Sequence, residues 1–147
     1  SLEAQTCWLV ERSLKTIVLR VQQQNKNAMA IARFLEAEPK VGKVFYPGLK
    51  NHPGHSIAKR QMPGGFGGML SFELKKDPAV FLRKLTFIKK AISLGGVEST
   101  MTEPVKTSHA KMSEAERKRQ GISSRLVRFS VGIEETDDLI NDIKQAL

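Results

Sequence analysis

The chain has 147 residues, enough for one domain with its own core and too few for two, and its 40% apolar and 27% charged content excludes a disordered chain. The formal charge of +9 suits attraction of anionic small molecules or of an acidic partner domain, but not nucleic acid, because the basic residues are scattered and only one Trp and one Tyr could stack on bases. The apolar runs are too short to span a bilayer, and Ser1-Leu2-Glu3 lacks the layout of a secretory signal, so a soluble, cytoplasmic protein without membrane contact is expected.

Leu14, Ile17, Val18, Val21, Ala28, Ile31, Ala32 and Leu35 recur at helical spacing and predict one long amphipathic helix, stopped by Pro39. A strand follows over Val41 to Tyr46, turned by Pro47 and Gly48. His52 to Arg60 reads as a short helix with Pro53 in its first turn. Gly64, Gly65, Gly67 and Gly68 lead into a half-buried strand, Met69 to Leu74, with Leu70, Phe72 and Leu74 on one face. Asp77 and Pro78 are suited to the N-cap and first position of a helix whose apolar side is Val80, Phe81 and Leu85.

A further strand is predicted near Ile88 to Leu94, ended by Gly95 and Gly96, and Val97 to Thr107 has no clear period and reads as an irregular arm. Ser113 with Glu116 forms a capping-box signature for a short helix closed by Gly121. Leu126 to Val131 alternates as a strand. The last helix has Asp137 and Asp138 in its first turn, Lys144 in its last, and Leu139, Ile140, Ile143 and Leu147 on its buried face. The fold class implied is α/β, an α+β two-layer sandwich with helices over one face of a small sheet.

Most candidate chemistry has a plain structural explanation. The glycines at 64 to 68 lack the spacing of a phosphate loop, and His52 and His55 have no third metal ligand nearby. His109 has no nucleophile and orienting acid beside it. Cys7 cannot form an internal disulfide and reads as a small buried residue beside Trp8 and Leu9. Arg128 differs, because it sits in an apolar strand and shares a face with Leu126 and Ser130. A guanidinium there needs a reason: an ion pair, an edge-strand position, or a bound carboxylate that its planar fork would match. The strand pattern alone leaves these open.

Ser93-Leu94-Gly95-Gly96-Val97-Glu98-Ser99, then Pro104, Thr107-Ser108-His109, Gly121-Ile122 and Leu126-Val127-Arg128-Phe129-Ser130-Val131-Gly132-Ile133-Glu134 together resemble the cystathionine-metabolising, pyridoxal-phosphate-dependent enzymes. Leu14-Lys15-Thr16, Tyr46-Pro47-Gly48-Leu49, His52-Pro53 and Gly67-Gly68 extend the likeness over nearly the whole chain. That family includes cystathionine γ-synthase, the cystathionine β- and γ-lyases and methionine γ-lyase. The resemblance implies the C-terminal small domain of the aspartate-aminotransferase-type fold, with residues 1–37 as a long inter-domain helix region and 38–147 as the sheet-and-helix body.

By that resemblance Arg128 binds the α-carboxylate of an amino-acid substrate, and Ser93, Leu94 and Ile92 line the substrate site. Holding the carboxylate orients the reacting bond, while the pyridoxal ring accepts electrons. The Schiff-base lysine and the phosphate ligands belong to a large cofactor-binding domain that this chain does not contain, so no catalytic or cofactor-binding residue is assigned here, and Lys15 is a decoy. The chain by itself is expected to be inactive and to bind no pyridoxal phosphate. Its partners would be the large domain and further copies in a homo-oligomer. Two departures stand out. Ile92 occupies a position where γ-specific members often carry glutamate, and Val105-Lys106-Thr107 replaces an Ala-x-Met run. The competing possibility is a stand-alone, non-catalytic binding or assembly module that uses its basic surface.

Overall fold

The computed structural model describes residues 1–147, and its organising element is a five-stranded sheet: β1 (Val41–Phe45), β2 (Met69–Leu74), β3 (Lys89–Lys90), β4 (Thr100–Thr102) and β5 (Leu126–Ser130). Their order across the sheet is β1-β2-β5-β4-β3. The β1–β2, β2–β5 and β5–β4 pairs are antiparallel; β3 and β4 run parallel. The helices are α1 (Ala4–Leu14), α2 (Ile17–Ala37), α3 (His55–Gln61), α4 (Pro78–Lys84), α5 (Glu114–Arg119) and α6 (Thr136–Ala146). None is long and apolar enough to cross a membrane.

The two faces of the sheet differ, as strand alternation requires. Leu70, Phe72 and Leu74 of β2, Met101 of β4, and Val127, Phe129 and Val131 of the β5 segment turn to one side and bury against Ala28, Ile31, Ala32 and Leu35 of α2, Phe81 and Leu82 of α4, and Leu139 and Ile143 of α6. Each large side chain so buried contributes roughly 1.5–3 kcal/mol. The opposite face carries Ser71, Glu73, Thr100, Thr102, Leu126, Arg128 and Ser130, and most of these positions are polar. The loop at residues 93–95 bonds to it through Thr100 and Ser130, and α5 faces Glu73 across a cleft.

The local signals behave as their chemistry predicts. Asp77 accepts from the Ala79 amide at 2.9 Å with Pro78 at the first helical position. Ser113 and Glu116 form the reciprocal capping box of α5, whose hydrogen bonds hold the Glu116 carboxyl below the usual range. Gly121, with φ at +72°, follows α5. Pro53 precedes α3 instead of lying in its first turn.

Other expectations are corrected. The long helix expected from Leu14 is α2, which begins at Ile17 instead; a further helix, α1, precedes it, and Thr16 between them has φ and ψ of −111° and 3°, outside the helical region. Arg20 crosses the break, donating to the Ser13 carbonyl at 2.7 Å and to the Thr16 hydroxyl at 3.2 Å. Only the second half of the apolar stripe enters the core: Leu14, Ile17, Val18 and Val21 are exposed, as is every residue of α1. Cys7 therefore lies exposed, not buried, because α1 packs against nothing in this chain.

The strand expected over Ile88 to Leu94 shrinks to Lys89–Lys90, because Ile92 and Leu94 point to solvent and do not alternate into the core. The arm expected over Val97 to Thr107 is not an open loop. Ser99 to Pro104 are buried, and Thr100–Thr102 form β4 beside β5, with Met101 fully buried against the core face.

Candidate functional site

Arg128 lies in the middle of β5, with Ser71 of β2 and Thr102 of β4 as its direct cross-strand neighbours. Val127 and Phe129 on either side are fully buried in the core, so their packing fixes the arginine Cα and sends its side chain to the polar face. The guanidinium Nη2 donates to the Ile92 carbonyl at 2.6 Å and, more weakly, to the Ser93 carbonyl at 3.4 Å. Nε is buried and has no hydrogen-bond partner. The ion pairs of the chain, Lys15–Glu11 and Lys106–Glu103, do not include Arg128. The structural ion pair that the strand pattern left open is thus not formed within this chain, and β5 is not an edge strand.

Chemically, this leaves a guanidinium whose Nη2 is aimed by a backbone carbonyl, whose Nε is sealed, and whose Nη1 donates to nothing in the chain. An end-on grip through the Nη1 and Nη2 edge is the one such a group can offer to an incoming carboxylate. The structure brings three of the other sequence-derived candidates to this place: Ile92 and Ser93 through their carbonyls, and Leu94 between Ser93 and the turn at Gly95. Ile92 and Leu94 are 65% and 58% exposed, so both side chains stand free at the rim. Gly95 adopts φ +74°, a left-handed conformation that suits glycine, and its amide donates to the Ser130 hydroxyl at 2.9 Å.

Several supporting residues were given no role from the sequence. Thr100 donates from Oγ1 to the Ser93 carbonyl at 2.8 Å. Its signal was present in Thr100-Met101-Thr102, two β-branched polar residues flanking one apolar residue, the alternation of a short strand. Asn27 of α2 is fully buried and donates to the carbonyls of Gly132 and Glu134 at 3.2 and 2.7 Å, fixing the turn after β5. Glu134 accepts from the Ser99 amide and hydroxyl at 2.6 and 2.9 Å, which ties that turn to the start of β4. Gly132 allows the close approach, since a Cβ there would collide with the Val97 carbonyl and the Glu134 carboxylate.

Away from Arg128, a cleft of about 720 Å³ lies between α5 and the sheet, lined in part by Glu73, Arg117, Lys118 and Ser123. Its walls mix both charge signs, and Ser123 already donates to Glu73 at 2.5 Å. His52 and His55 form no metal set: His52 Nδ1 accepts from the Gly54 amide, and His55 Nδ1 bonds the Pro47 carbonyl while its ring stacks on Phe66. The His109 ring bonds only the neighbouring Ser108 hydroxyl.

A cystathionine β-lyase of Lactococcus lactis subsp. cremoris is 49% identical over 145 residues, which is 97% of this chain and 38% of the relative. A chloroplastic cystathionine γ-synthase of Nicotiana tabacum is 47% identical over 150 residues, covering 100% of this chain and 28% of its own. Among solved structures, a cystathionine γ-lyase of Lactobacillus plantarum complexed with L-serine superposes with a TM-score of 0.93 at 41% identity, over 99% of this chain and 38% of that one. The chain therefore spans well under half the length of the relatives it matches. The model of the Cys/Met metabolism PLP-dependent enzymes matches residues 1–147, which takes in every element described above, and the chain belongs to that family.

Proposed function

We propose that this chain is the C-terminal, substrate-carboxylate-binding domain of a pyridoxal-phosphate-dependent sulfur amino-acid enzyme that eliminates or replaces a group at a C–S or activated γ-carbon bond in trans-sulfuration or methionine metabolism. The observation that carries this reading is Arg128: a guanidinium in the centre of an apolar strand, without an acidic partner, with Nη2 directed by the Ile92 carbonyl. In this reading Arg128 holds the α-carboxylate, and Ser93, Leu94 and Ile92 line the substrate site. Residues 1–37 form the inter-domain helical region and 38–147 the body.

The groups around Arg128 fit one carboxylate and do not fit the cofactor. Ile92 and Ser93 offer carbonyls, and the cross-strand neighbours Ser71 and Thr102 offer hydroxyls; none is an amine that could form an imine or an aromatic ring that could stack. The lysine and the phosphate ligands are accordingly assigned to a larger domain of the same polypeptide, and further copies of the enzyme complete a homo-oligomer. What this chain's residues do is bind and orient: a carboxylate gripped at the end of Arg128 loses rotational freedom, so the bond to be broken is presented in one direction.

The test is Arg128→Gln in the full-length protein. Removing one partner of a hydrogen-bonded charge pair costs about 2–5 kcal/mol, so affinity for an amino-acid ligand should fall by about 30-fold or more, with bound cofactor retained. An unchanged affinity would remove Arg128 from the site.

A further inference from the structure

We propose that Thr100 is a positioning residue for Arg128, acting through the Ser93 carbonyl, with Ser130 as its counterpart acting through Gly95. The inference rests on the assignment of Arg128 to a substrate carboxylate. Thr100 and Ser130 face each other across β4 and β5 as register partners and are 4% and 2% exposed. Each spends its hydroxyl on the same short segment. Thr100 Oγ1 donates to the Ser93 carbonyl at 2.8 Å, and Ser130 Oγ accepts from the Gly95 amide at 2.9 Å.

The segment between Ile92 and Gly95 has little else to hold it. Ile92 and Leu94 are solvent-facing, so no apolar packing anchors it. The neighbouring ties fall outside it: the Ala91 amide on the Met101 carbonyl at one end, and Gln24 on the Gly96 carbonyl at the other. Within it, the polar contacts are those of Thr100, Ser130 and Arg128 itself.

The dependence then runs in one direction. Val127 and Phe129 fix the arginine backbone, but the tip of a long side chain is set by what its nitrogens meet, and Nη2 meets the Ile92 and Ser93 carbonyls. Hydrogen bonds weaken steeply with distance and angle, so a small drift of the segment releases the guanidinium to other rotamers. The two buried hydroxyls keep those carbonyls in place. Their loss should lower the affinity for the carboxylate and leave contacts to the rest of the ligand as they are.

The experiment uses the full-length, cofactor-loaded enzyme and two probes, L-serine and its decarboxylated counterpart ethanolamine, with the ratio of their dissociation constants as the readout. Loss of one hydrogen bond of this kind predicts that Thr100→Val weakens L-serine by roughly three- to tenfold, with ethanolamine unchanged within about twofold. Thr100→Ser, which keeps the hydroxyl, restores the ratio. Should Thr100→Val fail to fold, the same ratio is read on Ser130→Ala. Equal weakening of both probes would make Thr100 merely structural, and an unchanged ratio would leave it without a role; either overturns the proposal. Arg128→Gln separates the two levels. If it shifts the ratio and Thr100→Val does not, only the positioning role fails; if it does not shift the ratio, the carboxylate assignment fails and the positioning role with it.

Discussion

Asn27 on α2 and Thr136 at the start of α6 lie 109 residues apart in sequence, yet the Thr136 hydroxyl donates to Asn27 Oδ1 at 2.6 Å. Gln23 donates to the same oxygen at 2.9 Å, and the Asn27 amide is spent on the Gly132 and Glu134 carbonyls. One fully buried side chain thus joins the first core helix, the turn after β5 and the last helix.

Replacing Asn27 by alanine leaves the buried Gly132 carbonyl and the half-buried Glu134 carbonyl, Thr136 hydroxyl and Gln23 amide without their partner. Each unsatisfied group costs about 1–3 kcal/mol, so Asn27→Ala should destabilise the fold by roughly 3 kcal/mol or more. Urea unfolding measures it. A loss below about 1 kcal/mol would mean that water replaces the amide in full.

Asp142 gives the fold an acid limit. Burial by itself would raise its carboxyl, but the amides of Ile88 and Thr86, the Thr86 hydroxyl and Gln145 outweigh burial and hold it below the usual range. The unfolded chain takes up a proton near the ordinary value of about 3.9, while the folded chain resists it. The stabilisation is therefore present above about pH 4 and is lost as pH falls through the folded value. Asp142→Asn should be less stable at neutral pH and show a flatter acid limb in unfolding midpoints. Parallel curves for the two proteins would refute the assignment.

Tyr46 sets a limit at the other end. It is fully buried, its hydroxyl donates to the Gly67 carbonyl at 2.9 Å, and burial pushes its phenol up to about 12. The unfolded phenol ionises near 10, so this contribution is complete below about pH 10 and is lost as pH rises towards and through the folded value. Tyr46→Phe should cost about 1–2 kcal/mol at neutral pH, by orphaning the Gly67 carbonyl, and remove most of the alkaline loss. Absorbance titration of the phenolate checks the same point directly, because a midpoint near 10 in the folded chain would contradict it.

Trp8, Leu9, Val10 and Leu14 of α1, with Ile17, Val18 and Leu19 of α2, leave a large apolar area exposed. Surfaces of this kind associate in water. The chain alone should show sedimentation coefficients that rise with concentration, and Leu9→Glu combined with Val18→Glu should abolish the rise. A monomer at all concentrations would argue that this face is tolerated bare.

Where a structural cause is local, it was legible in the sequence. The back half of α2 shows its helical stripe because Ala28, Ile31, Ala32 and Leu35 do meet the core, and Ser113 with Glu116 announces α5 because both halves of the capping box lie within one turn. The front half of that same stripe misled, since the apolar spacing of Leu14 to Val21 specifies a face without saying that this chain has nothing to set against it. β4 was missed because its burial comes from pairing with β5 some 28 residues later, with Met101 opposite Phe129. At the site, resemblance singled out Arg128 and Ser93. Their meeting is a main-chain event, the Ile92 and Ser93 carbonyls accepting from Nη2, and no residue letter encodes a carbonyl's direction.

That last feature separates two properties that a binding site often confounds. The atoms that aim Arg128 belong to the peptide backbone, which every residue type possesses, so positions 92 and 94 can exchange their exposed side chains without loosening the arginine. On the proposed reading of Arg128 as a carboxylate anchor, grip on the carboxylate and preference for what lies beyond it can then drift independently, with new substrate tastes arising at the rim while the anchor stays as it was.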